Sequence, residues 1–317
     1  MLSLVRADWF RIRRRWDVWI IVLGIPALAL LAYVSGALSS GNTQMQIGGD
    51  VPREFQAQMA AQDAAMRAFD ALPYQFPRSI VTVLEGSTLW LVIGAAFLAA
   101  SLLGHEFSWG TIRNVVLFQP DRIRYLAVRL LWIVGLVVAI FLALVALGAL
   151  LPAIVRVDPG DPAALKNLDP SQGWVPYGPT ASVSLGGALL VAGAFLVSVA
   201  GGVALVGLCA LKFRSVASGL LGAGIYVAGE GIFIGLVMSR ATGDLRYLPQ
   251  LTLITRLTAL VGDAQQAAGL TSGAGGMSSS PGWVALPPLV GASIVAVWIV
   301  GLIALWFVVL RRADIHE

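Results

Sequence analysis

The side chains able to do acid–base, nucleophilic or metal chemistry are few and far apart. His105 and His316 are the two histidines in 317 residues, and Cys209 is the single cysteine. That is too few and too scattered for a zinc site, a thiol redox pair or a disulfide. No G-x-x-x-x-G-K-[ST] loop occurs, and the "GLCAL" before Lys212 is glycine-poor and apolar, so its backbone amides cannot cradle a phosphate. The chain has no ATP site of its own, and no serine stands in a G-x-S-x-G elbow. Two carboxylates inside apolar runs remain. Glu230, in "IYVAGEGIFIGLV", sits near the middle of its run, where an ionised carboxylate costs several kcal/mol unless it is paired, hydrated or protonated. Gly229 and Gly231 let a second helix approach closely, so one reading is a protonated Glu bonded between helices. The other is a gating or pathway site for a proton or cation. Glu85 lies about one turn inside its run, within reach of interfacial water.

The elements that must hold these groups follow from composition. Charged residues make up 12% of the chain, hydrophobic ones 58%, and the mean hydropathy is +0.83; a soluble domain carries roughly 25% charge. Long uncharged runs, each sufficient to cross about 30 Å at about 1.5 Å per helical residue, give an all-α polytopic membrane protein. A β-barrel would alternate in segments of about ten residues, and these runs do not. Six spans are expected: Val18–Leu38, Val81–Leu103, Leu130–Ile154, Leu185–Leu211, Val216–Met238 and Val284–Leu310. They form a single transmembrane domain over residues 1–317, with residues 1–17 as an interfacial segment. The first run is too long for a signal peptide, and five more follow it. No internal repeat is evident.

An even number of spans puts both termini on one side. That side collects Arg6, Arg11, Arg13, Arg14, Arg15, Arg113, Arg122, Arg124, Arg129, Lys212, Arg214, Arg311 and Arg312, thirteen of the 21 basic residues. It holds six of the 17 acidic ones: Asp8, Asp17, Glu106, Asp121, Asp314 and Glu317. Basic residues resist translocation, so this side is cytoplasmic in a plasma or inner membrane. The net charge of +4 reports topology and gives no reason to invoke nucleic acid.

The connections differ in character. Outside, "REFQAQMAAQDAAMRAFDAL" repeats Phe55, Met59, Met66 and Phe69 at helical spacing, which predicts a short helix. Residues 155–184 read as an irregular loop. Before the sixth span, "PQLTLITRLTALVG" places Leu251, Ile254, Leu257 and Val261 on one face, the pattern of a helix on the outer interface or one that re-enters the membrane.

The largest inward connection, residues 104–129, is a basic island, "GHEFSWGTIRNVVLFQPDRIRYLAVR". Thr111 can cap a short helix with Ile112, Val115, Val116 and Gln119 on one face. Pro120 stops it, and Asp121 can cap a helix that runs into the third span. Such a helix fits anionic headgroups or a groove on a soluble partner.

This island resembles the first intracellular loop of ABC-2 type permeases, in which an acidic residue, Gly-Thr-hydrophobic-Arg, a Pro turn and a basic start to the next span form the coupling helix. Glu106, Gly110, Thr111, Arg113, Pro120 and Arg124 carry the likeness, while Phe118-Gln119-Pro120-Asp121 departs from the usual turn. The N-terminal "LVRADWFRIRRRWDVW" is similar to the amphipathic helix these permeases lay along the inner surface. There Leu4, Trp9 and Ile12 would face lipid or the first span, and the arginines headgroups or solvent. The resemblance implies a non-enzymatic permease subunit of an ATP-driven exporter, dimeric with a second copy or a paralogue, in contact with membrane lipid. ATP and Mg belong to a separate ABC ATP-binding subunit, and this chain needs no cofactor. The contact with that subunit would be made by Glu106, Gly110, Thr111, Arg113, Val115 and Phe118, with Lys212 and Arg214 in the next inner turn as a second patch. Two other classes stand beside this one: a secondary transporter or channel using Glu230, and a non-transporting membrane scaffold.

Overall fold

The structure is a computed structural model that describes residues 2–40, 53–108, 122–157, 183–240, 248–270 and 288–312. Among these residues there are helices and turns and no strand. The helices are α1 (Leu2–Arg13), α2 (Trp16–Ser40), α3 (Arg53–Ala71), α4 (Arg78–Ser108), α5 (Arg122–Ile154), α6 (Leu185–Phe213), α7 (Val216–Arg240), α8 (Leu253–Ala267) and α9 (Pro288–Arg312). Six of them, α2, α4, α5, α6, α7 and α9, are long and apolar enough to cross a membrane. The chain is an all-α, multi-pass membrane protein. The second and third spans run further than their apolar cores, so the 104–129 connection narrows: α4 continues to Ser108 and α5 starts at Arg122.

Contacts between the spans fix an up-and-down order. Ser79 at the start of α4 donates to the carbonyl of Gly148 near the end of α5 (2.6 Å). At the other end of α4, a methyl on Gly104 would fall 2.8 Å from the Ser215 backbone in the α6–α7 turn. The end of the bundle containing Gly104 also holds α1 and the last turns of α9, and is called the near end below; the Ser79 end is the far end. α4 and α6 are the central pair, with 61% and 56% of their spans buried, against 11% for α7.

Apolar side chains line both the core and the lipid-facing surface, so close packing rests on small residues. Trp306 of α9 is fully buried in a notch left by Gly207 on α6, and its Nε1 donates to the Ala204 carbonyl (2.7 Å). Gly201 seats Leu257 in the same way, and Gly94 seats Ile25. The α6–α7 hairpin closes over two residues. Arg214 takes a left-handed conformation (φ 56°), and the Ser215 hydroxyl caps α7 by accepting from the Ser218 amide (3.2 Å).

At the far end α3 lies beside α2 and the turn that follows; Ala65, Ala68 and Ala71 are its buried residues, Met59 and Phe69 are half-buried and Met66 is exposed. The turn that follows sets Tyr74 edge-on against Tyr33, whose hydroxyl donates to the Tyr74 carbonyl (3.2 Å). Burial raises Asp70 above the ordinary carboxylate range; burial, and then the Asp70 charge, raise Tyr74.

Gly207→Ala should destabilise the protein by about 1–3 kcal/mol, because a β-carbon there overlaps the Trp306 ring. Gly193→Ala, with nothing within 4 Å of the new atom, should be neutral or stabilising by about 0.5–1 kcal/mol from helix propensity. Thermal unfolding of the two purified variants should therefore show a lowered midpoint for Gly207→Ala and an unchanged or raised one for Gly193→Ala.

Candidate functional site

Glu230 lies on α7 ten residues before its end at Arg240, about 15 Å along the axis at about 1.5 Å per residue. A helix that starts at that depth leaves its first amides without intrahelical partners, and in hydrocarbon each such group costs several kcal/mol. α8 starts there. Its flanking Thr252 makes no side-chain cap, the hydroxyl donating instead to the Pro249 carbonyl (2.7 Å). Glu230 supplies the cap from the neighbouring span. Oε1 accepts from the Thr255 amide (2.7 Å) and hydroxyl (3.0 Å), and Oε2 accepts from the Ile254 amide (3.1 Å). The carboxylate is 7% exposed. Tyr226, one turn earlier on α7, faces the same carboxylate and the Leu253 backbone. The positive end of the α8 dipole and two backbone donors thus meet the one acidic side chain of α7.

α8 then runs toward the far end. Leu257 sits in the Gly201 notch, and its carbonyl accepts from Ser198 Oγ (2.9 Å), while eleven residues later Ala268 lies against Gly187, two residues into α6. The segment is therefore re-entrant, one of the two placements its sequence allows. Its buried residues are Leu253, Thr255, Arg256, Leu257 and Ala264, and Ile254 and Val261 pack against the core at partial burial, so the stripe of Leu251, Ile254, Leu257 and Val261 faces inward except at Leu251, which precedes the helix and is exposed.

The buried face includes a cation that the apolar pattern hides. Arg256 is 1% exposed. Its Nη1 donates to Gln250 Oε1 and its Nη2 to Asp263 Oδ2, each at 2.9 Å. Any β-carbon at Gly291 of α9 would collide with the guanidinium. Trp298 Nε1 donates to the Leu251 carbonyl (2.8 Å) and ties α9 to the start of the segment. The spacing Arg256–Asp263, two turns on one helix face, was the available signal. Glu85, exposed about two turns into α4, accepts from Gln265 Nε2 of α8. Glu85 and Glu230 thus both serve α8, one at each end.

The near-end residues fall into a separate group. Lys212 and Arg214 are exposed in the α6–α7 turn, directly behind Gly104. Glu106 is on the last turns of α4. Gly110, Thr111, Arg113, Val115, Phe118, Pro120 and Asp121 lie outside the described residues. α1 ends at Arg13, whose carbonyl accepts from Trp19 Nε1 (3.0 Å), and the chain turns into α2. Trp9 stacks on Trp132 of the third span (5.2 Å between rings) instead of facing lipid or the first span, and Ile12 is buried. Arg6, Arg11, Arg13 and Arg14 are exposed, but Arg15 turns inward to Asp17 and Ser101. Asp8 is buried against Arg129, with Oδ2 3.5 Å from Nε. The Arg129 guanidinium also lies 5.4 Å from the Tyr125 ring centroid.

Among the described residues no group of three His, Cys, Asp or Glu side chains is placed to hold a metal. What the arrangement does chemically is to satisfy buried backbone and charge. No family model, curated protein or solved structure matches the chain.

Because both Glu230 oxygens accept from backbone amides, Glu230→Gln is not a silent change: one oxygen becomes an NH2 that faces a donor. The variant should lose about 1–3 kcal/mol, the cost of a buried donor left without an acceptor. Thr255→Val removes only the hydroxyl bond and should lose about 1 kcal/mol. Denaturation of the purified variants in one detergent reads both, and a Glu230→Gln protein as stable as the parent would contradict the cap.

Proposed function

We propose that this chain is the permease subunit of an ABC exporter, which carries a substrate out of the cytoplasm using ATP hydrolysed, with Mg, by a separate nucleotide-binding subunit. The observation that carries the proposal is the motif of residues 104–129, standing between the second and third spans at the end of the bundle shared with α1 and the Lys212–Arg214 turn. A chain with no phosphate loop needs an outside source of work, and a basic connection that narrows to residues 109–121 between two long helices offers a place to apply it. In this reading the near end is cytoplasmic, since the basic residues of α1, the α6–α7 turn and the end of α9 gather there. A second copy or a paralogue completes the path. The rival reading, in which Glu230 is the proton or cation site of a secondary transporter, is weakened because both of its oxygens are engaged by α8.

The chain purified from its native membrane should bring down a stoichiometric ATPase. Arg113→Glu and Val115→Asp should detach or uncouple that partner while insertion is unchanged, because both changes lie outside the spans. Undiminished ATPase binding and stimulation in both variants would contradict the proposed contact, and absence of any ATPase from the wild-type complex would favour a scaffold or a secondary transporter.

A further inference from the structure

Two polar ties hold α1 and its turn into α2 to the bundle, one from α1 itself and one from the turn and the first residues of α2, and they land on α5 and α4. The first joins Asp8 to Arg129, seven residues into α5, with both side chains buried and Trp9 stacked on Trp132 just beyond. The second is a triad: Arg15 Nη2 and Asp17 Oδ2 share the hydroxyl of Ser101, each at 2.6 Å, and pair with one another at 3.0 Å. Ser101 is seven residues before the end of α4. The two ties therefore sit at matching levels on the two legs, about 10 Å from the connection at about 1.5 Å per residue.

A helix that only had to lie on an anionic surface would gain nothing from a buried carboxylate, yet the one acidic residue of α1 is turned inward at 6% exposure, between Arg129 and the Arg11 of its own helix (Oδ1–Nη1 4.0 Å), while Arg6 and Arg13 stay outside. We propose that α1 is a strut that sets the spacing of the α4 and α5 legs, with Asp8 and Arg129 as its positioning pair. Displacement of the 104–129 connection then moves α1 with it and, through the Arg15–Asp17–Ser101 triad, the first span α2. The transmission of work rests on the permease reading above, whereas the strut rests on the two ties alone.

Hydrogen exchange of the full chain in lipid nanodiscs tests the strut without any partner. Asp8→Asn should raise exchange in α1, in residues 102–108 and in residues 122–128 by about tenfold or more, and leave residues 78–85 and 148–154 at the far end unchanged. Asp8→Glu, or the exchanged pair Asp8→Arg with Arg129→Asp, should restore protection, which a simple loss of packing would not allow. Loosening confined to α1, with both legs unchanged, overturns the strut. Should Asp8→Asn lose protection at the far end as well, Ser101→Ala decides: faster exchange in residues 102–108 supports the strut, and no change there overturns it. In the complex with a co-purified ATPase, Asp8→Asn should keep the partner and lose its stimulation. Equal stimulation contradicts the transmission role, and a wild-type chain with no ATPase contradicts the permease reading while leaving the exchange result to stand.

Discussion

A helix that begins inside a membrane exposes amides that neither water nor its own carbonyls can satisfy. In this protein that constraint falls on α8, and the Glu230 carboxylate of α7 meets it with both oxygens. Much of the far half of the bundle follows from this one contact. α7 is the least buried span and meets α8 through the cap; α8 in turn holds α6 through Ser198 and Gly201, α9 through Gly291 and Trp298, and α4 through Glu85. Burying the Arg256 guanidinium in the same helix is tolerable because Asp263 and Gln250 are both in reach, and because Gly291 leaves room for it.

The near half is organised differently. There the chain uses buried and half-buried charge: Asp8 with Arg129 fastens the N-terminal helix to α5, and Arg15 with Asp17 and Ser101 fastens the turn that follows it, and the start of α2, to α4. Gly104 presses against the α6–α7 turn, so α4 meets that turn as well as Arg15 and Asp17. The far half holds a re-entrant helix in place and the near half gathers the basic surface. The central helices α4 and α6 run between the two, a layout suited to carrying a displacement from one end to the other.

The six spans were legible in the sequence, because long uncharged runs are one-dimensional signals, and a helix ahead of the first span was expected and is present. Which face of each helix packs was not. In α3 the periodicity of Met59, Met66 and Phe69 announced the helix but not its packing: Met66 is exposed, and Ala65, Ala68 and Ala71 are buried. In α8 the stripe of Ile254, Leu257 and Val261 does pack inward, but it gave no sign of the buried Arg256 beside it. Glu230 was visible as an anomaly, and a carboxylate bonded to a second helix was among its readings, but the donors are backbone amides 24 and 25 residues away, which no side-chain pattern announces. Asp8 and Arg129 each look like ordinary interfacial charges until the fold brings them together. Trp132, which supports that pair by stacking on Trp9, looks like one more apolar residue of its span.

The re-entrant placement of α8 is the claim on which the cap, the notches and the role of Glu230 all depend. Spin labels at Leu251 and Gln266, both exposed side chains fifteen residues apart at the two ends of the segment, report it directly through their depth in a reconstituted bilayer. At about 1.5 Å of rise per residue, the two labels are separated by about 20 Å along the helix axis, and the account predicts that Leu251 lies deeper by more than about 10 Å. Equal depths, the signature of a helix lying flat on the membrane surface, would contradict it.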